Sequence, residues 1–375
     1  MGNQIRNTMQ ALVVSAALIA LPIATANVLP NQSLISLSET GTSAQVGSGL
    51  AGDESKMMLP NPFTYNYVAA NSLSDEPGSA QVYRLNLNLL GSPQSILERV
   101  AEVMGLSGKV TRAEYSSEEY PAFVLGNQDG AHASASINWS GTGNWWYTNP
   151  AAWNNPMPVC DGGTDAEDNK ICRSTEPTPE LLPTKDEMII EAMRVFNATG
   201  LKVVESDIHS TLNEWGASAY ASMKIGGQES PIEWQISWSS NGEIGQVSGH
   251  AATAQAMGTY ETISAKQAVS RLGDWRYSGA VAQSVWDKYQ PADGGRVIAY
   301  DDAVAPEPLP SPSTITVLVN QAVETQMMIW DKSGTVWIVP GYLLLAEDGW
   351  PTPVFSLQDG IVQLPEPIEI SPMVK

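Results

Sequence analysis

The 375-residue sequence is poor in cysteine, histidine, phenylalanine and positive charge, with two, three and four of the first three and 19 Lys and Arg against 40 Asp and Glu. Each scarcity excludes something. Two cysteines cannot build a disulfide framework or a cysteine-rich metal module. His132, His209 and His250 lie far apart, and none stands at metal-ligand spacing from another or from a cysteine. A formal net charge of −21 repels a phosphate backbone, so nucleic acid is not an expected partner. No G-x-S-x-G elbow, HExxH helix, P-loop or dinucleotide glycine fingerprint occurs, which removes the usual sequence support for those enzyme classes.

The abundant carboxylates say little about chemistry. Among 40 of them some pair always looks suited to acid and base work, so Glu118-Glu119 and Asp301-Asp302 carry no nomination. Asp161, Asp165, Glu167 and Asp168 lack the order of an EF-hand loop, and a solvated loop is the expectation there. No catalytic residue, cofactor or metal ligand is expected. Sequons at Asn31, Asn138 and Asn197 matter only in a glycosylating host.

Long hydrophobic runs are also missing, apart from one near the N-terminus. Residues 1–26 carry Arg6, a short apolar stretch from Ala11 to Ile23 and the small residues Ala24, Thr25 and Ala26, the pattern of a secretory signal. The stretch falls short of the ~20 residues of a bilayer span, although an uncleaved anchor is the alternative reading. Both place the body outside the cytoplasm, secreted or tethered to the membrane by this segment alone. In that compartment Cys160 and Cys172 are expected to form one disulfide across an acidic loop at 161–183.

Residues 27–80 are rich in Ser, Gly, Asn and Pro and read as a flexible linker, with Met57 to Ala69 as a segment able to dock on the body as a strap. A first folded unit is expected at 81–160. It opens with the alternation of Leu85, Leu87 and Leu89, then a helix capped by Ser92 with Pro93 at its first position, and three strand-like pieces. The same order recurs at 184–260, where Thr184 and Glu187 have capping-box spacing and Ile189, Met193 and Phe196 share a helical face. Ile137-Asn138-Trp139-Ser140 aligns with Ile236-Ser237-Trp238-Ser239. A third copy is expected at 261–375, with a helix from Ser264, a proline-rich insertion at 305–314, and Trp330 repeating the tryptophan-to-glycine turn. The fold class expected is therefore α+β, as tandem units of one helix on a three-strand antiparallel meander.

These repeats explain Trp139, Trp238 and Trp330 as core residues at strand ends. They leave Trp145, Trp146, Tyr147 and Trp153 as an aromatic surplus, because the matching stretch of the second copy, Glu243 to Gly249, has no ring. The surplus either packs one unit against another or forms an exposed platform for a ligand or partner.

The helix-and-strands order, with a cap such as Ser264-Ala265-Lys266-Gln267 and a terminal W-S/D-x-x-G turn, resembles the PepSY-type module of exported bacterial proteins. Segments such as Gly258 to Leu272 and Thr335 to Leu345 are similar to uncharacterised exported proteins that carry it. The resemblance implies protease inhibition, envelope binding or regulation of signalling rather than catalysis. The expectation is thus a non-catalytic extracytoplasmic binding or regulatory protein of the bacterial cell envelope. A protein or peptide partner is expected at Trp145, Trp146, Tyr147 and Trp153. The alternative is a carbohydrate-active protein, a glycan-binding module or a hydrolase, that uses the same aromatics.

Overall fold

The computed structural model describes residues 33–37, 63–89, 91–153, 179–290, 313–346 and 351–367. The leader at 1–26, Cys160, Cys172 and most of the proline-rich insertion lie outside these residues. In chain order the elements begin with β1 (Ile35–Ser36), β2 (Phe63–Ala69), β3 (Gly78–Leu87), α1 (Pro93–Met104), β4 (Thr111–Arg112), β5 (Ala122–Gly126), β6 (Ser134–Asn138) and β7 (Trp145–Thr148). Then follow α2 (Lys185–Ala198), β8 (His209–Asn213), β9 (Gly216–Ile225), β10 (Gln228–Trp238), β11 (Ile244–Gly249) and β12 (Ala252–Thr262). The last third supplies α3 (Ala265–Ala268), α4 (Gln283–Tyr289), β13 (Ser313–Trp330), β14 (Val336–Ala346), β15 (Thr352–Phe355) and β16 (Val362–Gln363).

The two long helices start where local chemistry satisfies their first amides. The Ser92 hydroxyl accepts from the Ser95 N–H at 3.1 Å, Pro93 needs no amide partner, and Gly105 at φ 70° stops the helix. Thr184 and Glu187 form a reciprocal capping box at the start of α2. Ile96, Leu97 and Val100 of α1, with Met188, Ala192, Val195 and Phe196 of α2, are buried against one sheet.

That sheet has eight strands in the order β4-β5-β6-β7-β11-β10-β9-β8, every neighbouring pair antiparallel. A second sheet runs β12-β3-β14-β13-β2, with β15 also pairing β14, and β1 and β16 make a small parallel pair. The expected tandem of helix-plus-three-strand units is overturned. Among the described residues 45% are strand and 21% helix, gathered into large antiparallel sheets. α1 and α2 are each followed by four strands, and the two sets are joined edge to edge through β7 and β11. Among the described residues of 261–375 no third unit is formed: α3 is four residues long, and β13 and β14 pair with β2 and β3 from the N-terminal part of the chain. The supposed linker at 27–80 contributes β1, β2 and the start of β3 to the fold. The physical reason is edge satisfaction: a free meander leaves two rows of unpaired backbone groups, and pairing distant strands covers them.

The main core lies on one face of the eight-stranded sheet. A row across its strands, Leu125, Ala135, Tyr147, Val247, Ile236 and Ala219, is buried under the helices. Leu85, Met328, Val336 and Ile338 of the second sheet close the same core, and Trp139, Trp238 and Trp330 pack on or within it. Alternation along β13 sends Met328 into this core and Met327 and Ile329 into another, with Ile35, Trp337 and Phe355. The second sheet is therefore apolar on both faces over this stretch.

Two local devices hold the assembly. Gly249 faces Trp145 across the β7–β11 seam, and a methyl group there would stand 2.4 Å from Trp234 Nε1 and 2.6 Å from Trp145 Cζ2. Both indoles are fully buried. Elsewhere the buried Arg271 donates to the carbonyls of Phe355 and Leu357 at 2.7 and 2.8 Å and to Asp359 Oδ1 at 2.8 Å, with its guanidinium 4.5 Å from the Tyr277 ring. Gly249→Ala is expected to lower stability by about 1–3 kcal/mol through overpacking at the seam, read as a drop in thermal midpoint. Arg271→Ala is expected to cost about 2–4 kcal/mol, because two carbonyls lose a charged donor, and to open the 355–365 segment to limited proteolysis.

Candidate ligand-binding face

A strand sends successive side chains to opposite faces, and this alternation divides the aromatic surplus. Trp145 and Tyr147 point into the main core, with exposures of 0% and 5%, so they are not surface platforms. Trp146, between them, points to the other face and is partly exposed. Trp153 ends a 3-10 turn, is exposed at 47%, and rests its indole against Gly245 at the rim of the helix-covered face. The four residues expected to act together are thus split between two faces of one sheet. Asn144, adjacent to them, uses its amide to donate to the Gly249 carbonyl at 3.2 Å.

The face that carries Trp146 is polar. Strand registers align one residue from every strand into a single row: Thr111, Val124, Ser136, Trp146, Ser248, Gln235, Tyr220 and His209. A second row beside it holds Ser134, Thr148, Gln246, Ser237, Ser218 and Thr211. Gln235, Gln246 and Thr211 are exposed, Trp146, Thr148, Ser237, Ser248, Ser218, Tyr220 and His209 are half-buried, and Val124, Ser134 and Ser136 at the β5–β6 end are buried. Hydroxyls, amides and aromatic rings make up most of this surface, and neither row holds an Asp, Glu, Lys or Arg.

One corner is built differently. His209 stacks on Tyr220 with centroids 4.9 Å apart, and the Tyr220 hydroxyl donates to Asp287 Oδ2 at 3.0 Å. Burial pushes the Tyr220 phenol well above its usual range, and the bond to Asp287 adds to the shift. The helix α4 sits here. Ala282 gives it no side-chain cap, and Glu233 from β10 supplies the acceptor instead, 2.7 Å from the Gln283 N–H. Ser284 donates to Glu229, and Ser222 donates to Glu233 at 3.0 Å. Burial raises the Glu233 carboxyl, partly offset by these hydrogen bonds. The carboxylates of this corner are occupied in holding α4.

The remaining histidines are structural. His132 lies in an exposed loop 2.7 Å from Asp129 Oδ2, and hydrogen bonds from the Ala131 amide, then His132, hold that aspartate near a pKa of about 2. His250 is partly buried, with Nδ1 2.8 Å from Thr142 Oγ1 and its ring edge-on to Trp234 at 5.7 Å. Among the described residues no group of three or more His, Cys, Asp and Glu side chains is placed to hold a metal ion, and no helix is long and apolar enough to cross a membrane. The expected disulfide at Cys160 and Cys172 and the acidic loop lie outside the described residues.

The residues missed in the sequence are Gln235, Gln246, Ser248 and Tyr220. For Gln235, Gln246 and Ser248 the signal is the polar half of the alternation in Ile232 to Trp238 and Ile244 to Gly249, and for Tyr220 it is the alternation of Ser218, Tyr220 and Ser222 with Ala217, Ala219 and Ala221.

No protein-family model matches the chain, and no curated protein does. The resemblance to PepSY-type modules therefore gains no support from family comparison. Among solved structures the chain is similar to an uncharacterized protein from Eubacterium rectale, at 10% identity over 80% of this chain and 90% of that one, with a TM-score of 0.38. That likeness is too distant to inform fold or function.

Desolvation lowers the His250 pKa from 6.5 to about 4. The folded state thus resists protonation that the unfolded chain accepts, so this contribution is complete above pH ~6.5 and is lost as pH falls towards 4. Denaturant titrations are expected to show at most about 3 kcal/mol lost across that window, and His250→Gln is expected to flatten the slope.

Proposed function

We propose that this chain is a non-catalytic binding protein that acts outside the cytoplasm, and that its ligand lies on the polar face of the eight-stranded sheet. The observation that carries this reading is the run of solvent-accessible side chains from Trp146 through Ser248, Gln235 and Tyr220 to His209, one from each of five strands, on the face opposite the two long helices. A broad surface of hydroxyls and amides around Trp146 can exchange its hydrogen bonds with water for bonds to a ligand while the ring supplies apolar contact.

The binding role fits better than hydrolysis. Glu229, Glu233 and Asp287, the carboxylates at its α4 corner, are engaged in positioning α4, which leaves them poorly placed as a free acid and base pair. The leader-like segment at 1–26 supports an extracytoplasmic site of action.

Probing arrays of saccharides and peptides tests the location of the site. Gln246→Arg places a long charged side chain in the middle of the face, and Ile190→Ala alters an exposed residue of α2 on the other side of the sheet. Array binding is expected to disappear with the first variant and to persist with the second. Equal binding by both variants would refute a site on this face.

A further inference from the structure

We infer that the ligand of this face is an uncharged polysaccharide chain laid across the strands, with Trp146 and Tyr220 as its two ring platforms. The inference rests on the proposed binding face and adds the class of molecule that occupies it.

The first argument is spacing. Neighbouring strands stand ~4.8 Å apart, so a ligand that crosses them meets a new side chain at about that interval, close to the length of one pyranose unit. Trp146 and Tyr220 are separated by three strand steps, or ~14 Å, with Ser248 and Gln235 between them. An extended sugar chain can place C–H faces over both rings and present hydroxyls to the intervening amide and hydroxyl. His209 stacks on one face of Tyr220, and the bond from the Tyr220 hydroxyl to Asp287 holds the ring in place.

The second argument is charge. The two rows from β6 to β9 hold no ionic side chain, while Glu229, Glu233 and Asp287 stand at the α4 corner and the chain as a whole carries −21. Acidic polysaccharides are repelled. An apolar ligand would strip water from Gln235, Gln246 and the serines and return no hydrogen bonds, which is unfavourable. A peptide pairs its backbone with a sheet edge, whereas this surface is a sheet face. A neutral chain of hydroxyls satisfies all three constraints.

Affinity electrophoresis and tryptophan fluorescence of the purified protein test the inference, with laminarin, mannan and cello-oligosaccharides against polygalacturonate and hyaluronan. Binding to at least one neutral glycan is expected, weakened about tenfold or more by Trp146→Ala and unchanged by Trp153→Ala on the opposite face. The double change Gln235→Ala with Gln246→Ala, at exposed side chains, is expected to weaken it as well and serves if the tryptophan variant fails to fold. Capture of the acidic glycans in preference, or of none of the neutral ones, overturns the glycan assignment; the array result with Gln246→Arg then decides separately whether the face binds something else. Neutral-glycan binding that survives both the tryptophan and the glutamine changes overturns the assignment and the face together.

Discussion

The seam between β7 and β11 is the contact on which the rest of the structure depends. Trp145 and Trp234 close over Gly249 there, and the absence of a side chain at that one position lets two indoles pack at full burial. Among the described residues neither buried indole N–H has a hydrogen-bond partner, a cost on the order of 1–3 kcal/mol each. Apolar packing must outweigh that cost, and two large rings each remove ~150–250 Å² from water. Without the seam the eight-stranded sheet would be two four-stranded pieces, and the row of side chains across its polar face would be broken in the middle.

The two faces of that sheet follow from one alternation. Ile232, Trp234, Ile236 and Trp238 supply the helix-covered side, while Glu233, Gln235 and Ser237 supply the other. Trp146 is the single indole among the surplus rings that the alternation directs to the polar side, so its position there is set by register rather than by local composition. The same register places the acidic groups at a corner, where they cap and anchor α4 in place of a local N-cap. Charge is thereby kept off the middle of the face.

Much of the local structure was legible in the sequence. The Ser92 cap with Pro93, the capping box of Thr184 and Glu187, and the alternation of Leu85 and Leu87 all appear as helices and strands where their chemistry places them. Pairing was not legible. Nothing in Phe63 to Ala69 names β13 as its parallel neighbour, and nothing in Trp145 to Thr148 names β11, because periodicity reports which face a residue takes and not which strand lies beside it. The third helix was overestimated for a related reason: Ala265, Ala268, Val269 and Leu272 keep helical spacing, yet Arg271 is drawn away to the carbonyls of Phe355 and Leu357, and the helix gives way to a 3-10 turn at Val269–Arg271. The candidate site suffered most, since four neighbouring aromatics in sequence were dispersed by strand alternation into core, face and rim.

The parallel pairing of β1 with β16 brings Ser36 against Gln363, 327 positions apart, where the serine hydroxyl donates to the glutamine carbonyl at 2.8 Å. β2 likewise lies beside β13. A ribosome delivers the strands of the eight-stranded sheet, Thr111 to Gly249, as one continuous stretch, whereas the smaller sheet stays incomplete until its last partners have been synthesised. Maturation therefore has a built-in sequence in time: one half can condense early from neighbours, and the other waits for β1 and β2 to meet β16 and β13.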